Sequence, residues 1–353
     1  MAKPNGWQPG AVRAPMRVTM DGGVSGLLSR MRGSAFQGRK LGEAFEAWSS
    51  MIDGASLICL GLAGSLASAG LWPLVTWLIE RGYVDLVAAT CANVTEDVLE
   101  LRGATVHQVD PEHVDDGALW QARRYRFYDH VVSAAEYDAM ETFTAGFFRH
   151  LEATWKYPAI SGARFMQEYG RWLEAQGLGG AVAATCARHA VPLFVPAAHD
   201  GPLAEGYRES GVRGPAVDFF RDYDIALRIM DRVMAPGRGT AAVFLGGGVP
   251  KDFIQITATS VCAIRGGDAT PHRSAIQITT DNTVFGGLGG ASVSSECISW
   301  GKEAADGVNV MCFADVTIAL PFLCHALAER YGESPRRRSA GLTPTELALL
   351  IDR

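Results

Sequence analysis

One lysine stands out for its chemistry. The chain has five lysines (3, 40, 156, 251 and 302) against 27 arginines. Schiff-base chemistry needs a primary amine that can lose its proton, which a guanidinium cannot supply. Lys302 lies in Ile298-Ser299-Trp300-Gly301-Lys302, six residues after Glu296 and two after an indole ring that could stack on an ammonium group. A surface lysine on a helix is the plain alternative, and codon bias accounts for part of the arginine excess. A second group is acidic: Glu96, Asp200, Glu205, Glu296 and Asp315 each fall at or near the end of an expected strand. Carboxylates gathered at one end of a sheet suit a polyamine, whose ammonium groups need charge-assisted hydrogen bonds. Taken singly, Glu96 reads as a helix-start residue, Asp200 as part of an Asp-Gly turn and Glu205 as solvated. A third group is small and glycine-rich: GLAGSLASAG (61–70), LGGGVP (245–250) and FGGLGG (285–290). Such loops let backbone amides approach a phosphate at a helix N-terminus. No clean GxGxxG is present, so each alone reads as a tight turn; three at strand ends together fit a dinucleotide.

These residues need elements to position them. Phe36, Leu41, Phe45 and Trp48 recur at helical spacing and predict a helix over 36–52. A strand is expected over 55–62, a loop over 63–70, and a helix over 71–82 closed by Gly82. A second strand spans 84–92, followed by a helix starting at Asn93, with Glu96 in its first turn. Later come a helix at 179–190, a strand at 192–198 and a helix at 217–234. Strands at 240–248, 275–280 and 308–315 follow, with helices at 250–261, 296–304 and 316–331. Apolar strands alternating with helices imply an α/β fold: a mostly parallel sheet with helices on both faces. Ligands then bind beyond the carboxyl ends of the strands. The expected organisation is a mobile N-terminal arm (1–34), one catalytic domain (35–332), and a C-terminal linker with a short helix (333–353).

Composition sets the bounds. With 353 residues, 48% of them hydrophobic and 20% charged, the chain can bury a large core. A net charge of −6 argues against nucleic acid or an anionic membrane as partner and suits a small cation. Seven cysteines include no CxxC pair and several lie in apolar runs, which reads as reduced thiols in a cytoplasmic protein. The eight histidines include no HExxH, so no metal is expected. The N-terminus has no apolar h-region. Residues 54–79 are uncharged but broken by glycines, Pro73 and serines, and are expected to be buried rather than membrane-spanning.

The order of these segments resembles the deoxyhypusine synthases over residues 36–330. The most specific piece is ECISWGKEA…VNVMCFADVTIALPFL, similar to that family's E-A-V-S-W-G-K and Y-A-D-A blocks. FQGRKLGEAFEAW, LGLAGSLASAG, TCANVTED, VPLFVPAAHDGPLAE and LGGGVPK support it. The resemblance implies a Rossmann-like homotetramer that uses NAD and spermidine, with a hypusine-containing translation factor as acceptor. It implies that Lys302 carries a butylimine, and that Glu296 and Trp300 line the polyamine pocket. Glu96 would be shared with the cofactor, and Glu205 and Asp252 fall at substrate-facing positions. Gly64, Ser65, Leu66, Ser68, Thr90, Cys91, Ala92, Asp200, Gly247, Thr280, Asp281 and Asp315 would contact NAD.

Several positions depart from the family's pattern. Its Ser-Asn-Leu is Gly64-Ser65-Leu66 here, and T-A-G-G-V-E-E reads Thr90 to Glu96 with one acidic residue lost. G-S-L-G-D reads Gly201 to Glu205. K-H-H reads Lys251-Asp252-Phe253, so a histidine thought to assist proton transfer is Asp252. D-G-S-D-S-G is shortened to Gly286-Gly287-Leu288-Gly289-Gly290. The leading expectation is an NAD-dependent aminobutyl transferase whose acceptor is a protein lysine or a small amine. A homospermidine-synthase-like enzyme with putrescine as acceptor, and a non-catalytic NAD- or polyamine-binding descendant, are the alternatives.

Overall fold

The structure is a computed structural model that describes residues 13, 15–19, 21–54, 57–234, 239–266, 271–334 and 344–352. Its centre is a six-stranded sheet: β1 (Leu57–Leu62), β2 (Leu86–Ala89), β3 (Leu193–Phe194), β4 (Thr240–Leu245), β5 (His272–Thr279) and β6 (Glu303–Phe313). Every pairing is parallel, and the spatial order is β3-β2-β1-β4-β5-β6. The chain therefore reverses direction across the sheet between β1 and β4. In open α/β sheets this is where the loops leave the strands in opposite directions and a crevice opens.

A parallel sheet buried on both sides needs apolar residues at every position, not at alternate ones. β1 and β4 are buried along their whole lengths. Along β1, Ile58, Leu60 and Leu62 face one core with the helices Phe36–Gly54, Trp72–Glu80 and Val316–Tyr331. Leu57 and Cys59 face the other, with the helices Phe219–Val233 and Gly248–Arg265 and with Ile351 of the terminal helix Pro344–Asp352. The uncharged stretch 54–79 is thus a core strand, a loop and a helix. No helix among the described residues is long and apolar enough to cross a membrane.

Several expectations are corrected. Within the stretch read as a mobile arm, Gly23–Met31 is a helix. Glu329 accepts its Val24 and Ser25 amides at 3.0 and 2.7 Å, and Leu28 is fully buried beneath it. Residues 1–12 of the arm, residues 55–56 of the first expected strand and residues 335–343 of the C-terminal linker lie outside the described residues. The helix expected over 296–304 stops at Ser299 because Gly301 takes a left-handed φ of 68°, and the chain then enters β6 at Glu303. Asn93 does not cap a helix: Ala92–Val94 is a short 3-10 turn and the α-helix begins at Asp97. Residues 104–178 add a three-stranded antiparallel sheet (His107–Gln108, Arg124–Phe127, His130–Ser133) and the helices Ala134–Thr154 and Gly162–Ala175.

Two buried aspartates tie helices to the frame. Asp97 accepts the Val182 amide at 2.7 Å at the start of the helix Val182–Arg188. Asp222 accepts the Ala163 amide at 2.7 Å at the start of Gly162–Ala175. Each satisfies a helix-terminal donor that the core would otherwise leave without a partner.

Candidate functional site

Because all six strands run parallel, the loops after them meet along one edge. Gly64, Ser65, Leu66 and Ser68 follow β1; Thr90, Cys91, Ala92 and Glu96 follow β2; Asp200 and Glu205 follow β3. Gly247 follows β4, Thr280 and Asp281 follow β5, and Asp315 follows β6. The side chain that binds the first two loops together is Asn93, which is 2% exposed. Its Oδ1 accepts the Leu66 and Ala67 amides at 3.1 and 3.3 Å. Its Nδ2 donates to Thr90 Oγ1 at 2.8 Å and to the Gly64 carbonyl. Glu96 is held from both sides, by the Ser68 hydroxyl and by the Tyr137 hydroxyl at 3.1 Å. Gly201 brings the third loop in: a Cβ there would lie 3.1 Å from Cys91 Sγ. Burial pushes the Cys91 thiol up to about 12, which keeps it a neutral packing group.

The remaining edge residues are open. Asp200, Thr280, Asp281 and Asp315 are exposed, and Asp315 also accepts the Thr317 amide at 2.8 Å at the start of its helix. Glu205 is half-exposed and ion-paired with Arg208 at 2.7 Å.

The β4 loop is crowded on one side. A Cβ on Gly247 would come 2.3 Å from Gly289 Cα, and one on Gly290 would come 2.4 Å from the Asn282 carbonyl. Part of the glycine content of 246–248 and 286–290 is therefore demanded by two backbones packing on each other. On the other side, Gly64 and Gly248 have φ of 81° and 62° with no atom near a would-be Cβ. The 18-residue helix Gly248–Arg265 starts at this point with no side-chain cap on its first amides.

Sequence reasoning missed what holds that crowded loop. Lys251, 1% exposed, donates Nζ to Gln277 Oε1 at 2.8 Å, to the Leu288 carbonyl at 3.1 Å and to the Ala291 carbonyl. Burial lowers its proton affinity below the usual lysine value. Gln277 reinforces the clamp by donating to Gly246 and Gly289 carbonyls at 3.0 and 2.7 Å. The available signal was a scarce lysine immediately after a glycine-rich strand end.

Lys302 lies off this helix, in the turn before β6, and its side chain meets the helix at Asp252. Asp252 is four residues in, about 6 Å from the helix start at 1.5 Å per residue. Its Oδ1 accepts from Lys302 Nζ at 2.8 Å, with the two side chains 32% and 14% exposed. The Trp300 ring lies 5.9 Å from the same Nζ. The backbone at Lys302 is pinned, its amide donating to Cys297 and its carbonyl accepting from His272, both at 3.2 Å. The structure therefore brings Lys302, Asp252 and Trp300 together. Glu296 sits on the exposed side of its short helix, and Trp300 is itself 66% exposed. Among the described residues no group of three His, Cys, Asp or Glu side chains could hold a metal ion.

Residues 26–327 match the family model described as deoxyhypusine synthase. The chain is 34% identical over 314 residues to the "Probable deoxyhypusine synthase 2" of Methanosarcina mazei, covering 88% of each chain. It is 29% identical over 292 residues to the "Deoxyhypusine synthase-like protein" of Elusimicrobium minutum, covering 82% of this chain and 76% of that one. Among solved structures it resembles one from Entamoeba histolytica described as a "putative deoxyhypusine synthase". The TM-score is 0.56 and the identity 15%, with 89% of this chain and 94% of that one covered, a likeness of fold.

Proposed function

The chain belongs to the deoxyhypusine synthase family, and on that premise we propose that it is an NAD-dependent transferase acting on a polyamine. In this reading it moves the 4-aminobutyl group of spermidine, through an imine on Lys302, to an acceptor amine. The observation that carries the reading is the half-buried Lys302–Asp252 pair at 2.8 Å, which puts a proton acceptor within hydrogen-bond reach of the one amine placed for imine chemistry.

The parallel edge fits a dinucleotide. The crevice at the β1/β4 reversal, the open space at Gly64 and Gly248 and the uncapped helix start favour a pyrophosphate. Gly64 to Ser68, Thr90 to Ala92, Glu96, Asp200, Gly247, Thr280, Asp281 and Asp315 would hold it. Bound NAD would supply a two-electron hydride acceptor that later returns the hydride, so no external reductant is consumed. The chain's own residues do the rest. Asp252 takes a proton from Lys302, freeing the amine to bond the oxidised carbon of the donor. The carbon–nitrogen bond to 1,3-diaminopropane breaks, and that amine leaves with the proton. Trp300 and Glu296 face the cationic chain from the open side. An acceptor amine then displaces Lys302. The family reading extends to a homotetramer and to a translation-factor lysine as acceptor, with putrescine as the small-amine case.

The test is intact-mass spectrometry after incubation with NAD and spermidine and a borohydride quench. A butylamine-sized adduct mapping to Lys302, absent from Lys302→Arg, is the expected result. An adduct on Lys302→Arg, or none on the native chain, overturns the reading. Adding putrescine and finding homospermidine would identify the small-amine acceptor.

A further inference from the structure

β6 opens on a carboxylic acid in an unusual place. Glu303 is 1% exposed, directly after Lys302. Its Oε1 accepts from Gln255 Nε2 at 2.6 Å, while Oε2 has no hydrogen-bond partner. A buried carboxyl with an open oxygen is costly for packing alone and is usually matched to a charge. The charges that act on it are Lys251, from the helix Gly248–Arg265, and Lys302. That helix also carries Asp252, which is occupied by Lys302.

The other neighbours bring no charge to it. Cys297, from the short helix Glu296–Ser299, is a thiol that burial keeps neutral. On β5 the register partner is His272, whose imidazole burial pushes down to about 4, so it too is neutral. The helix Phe36–Gly54, packed along β6, carries Lys40, whose ammonium is paired with Glu43 at 2.8 Å.

We propose that Glu303 is a positioning residue: a second, buried counter-charge, behind the Asp252 pair, that strengthens binding of an amine cation at Lys302. The cation's identity as a polyamine rests on the reading above; the counter-charge itself rests on the Gln255–Glu303 geometry. Burial, opposed by the Gln255 hydrogen bond and the two lysines, places the Glu303 carboxyl at about 7. Above that pH the buried side of the pocket gains a carboxylate that it lacks below it.

The experiment is calorimetric titration of the full chain with spermidine, in the presence of NAD, between pH 6 and pH 8. Native protein should bind about tenfold more tightly at pH 8, the effect of one added charge acting through partly screened surroundings. Glu303→Gln, which keeps the shape of the protonated acid, should hold the pH 6 affinity throughout. Gln255→Leu should keep the transition but move it to higher pH, since the lost hydrogen bond favoured the ionised form. A Glu303→Gln protein that retains the native pH dependence, or a Gln255→Leu protein whose transition does not move, overturns the proposal. The borohydride adduct on native protein is scored separately. Normal trapping with an unchanged pH profile sinks Glu303 alone; pH-dependent spermidine binding without trapping sinks the transfer reading alone; no spermidine binding at any pH sinks both.

Discussion

Lys251→Met is the perturbation that tests the architecture of the site most directly. Methionine fills the space of the lysine stem, so the change removes the ammonium without opening a large cavity. What it leaves behind are Gln277 Oε1 on β5 and the Leu288 and Ala291 carbonyls of the glycine loop, acceptors on two segments. Each hydrogen bond to a charged donor is worth about 1.5–3 kcal/mol net, and an abandoned buried acceptor costs about 1–3 kcal/mol. Against this, the variant escapes the desolvation penalty of a buried ammonium, several kcal/mol in itself. The acceptors left behind are neutral and no charge is stranded, so the balance should be a loss of about 1–3 kcal/mol. The loss should be concentrated where the bonds were, because Gln277 keeps its own bonds to the Gly246 and Gly289 carbonyls. Urea denaturation should show the drop in stability at unchanged slope. Hydrogen exchange should show residues 286–291 losing protection while β1 keeps it. NAD affinity should fall, because Gly247 rests on Gly289. A stability loss under about 1 kcal/mol with full protection at 286–291 would refute the clamp.

Three other outcomes are expected. Gly247→Ala places a Cβ 2.3 Å from the Gly289 backbone, so the loops must separate; a cost of about 1–3 kcal/mol in denaturant and weaker NAD binding by calorimetry are expected. Asn93→Leu leaves the Leu66 and Ala67 amides and the Gly64 carbonyl without their partner; about 2–4 kcal/mol should be lost, with raised hydrogen exchange over 64–68. Stability should also fall as pH rises from about 4 to above 7. Burial pushes Asp97, Asp222 and Glu303 each up to about 7. Their folded-state proton affinity exceeds that of the unfolded chain, so the stabilisation is full below the unfolded value and lost through 7. It amounts to at most about 4 kcal/mol per group. Urea midpoints at pH 5 and pH 8 measure it, and Asp97→Asn, which keeps an acceptor for Val182, should flatten the difference.

Much of the fold was legible because its signals are local. Continuous apolar runs mark β1, β2 and β4, and a sheet buried on both faces needs such runs. The loops that converge at the parallel edge were identified for the same reason, since finding the strand ends finds the loops. What was not legible depends on contacts distant in sequence. Gly23–Met31 reads as an arm because its anchors, the Glu329 carboxylate and the core around Leu28, lie on other segments. Asn93 has the residue type of a helix cap, and only the approach of the β1 loop gives its amide a better use. The helix expected through Lys302 is ended by Gly301, a residue the pattern treated as neutral. Glu303 and Gln255 lie 48 positions apart, and nothing in spacing pairs them.

Two of the departures from the family's pattern, Asp252 and the loop 286–290, are joined physically through Lys251, which the pattern shares. Lys251 and Asp252 are consecutive, so their side chains leave the helix about 100° apart. One is turned into the protein against the glycine loop, the other toward Lys302. A single helical turn thus sets both the loop beside the crevice and the partner of the reactive amine. Where the related pattern has a histidine, an aspartate gives Lys302 a carboxyl partner at 2.8 Å. Where it has a polar loop, bare glycines let two backbones close on each other. With the two side chains 32% and 14% exposed, the Asp252–Lys302 pair is screened less than one in open water. Such a pair holds an amine by charge more than by the shape of what lies beyond it. On the proposed function, the polyamine head would be fixed at Lys302 while the acceptor side stays permissive.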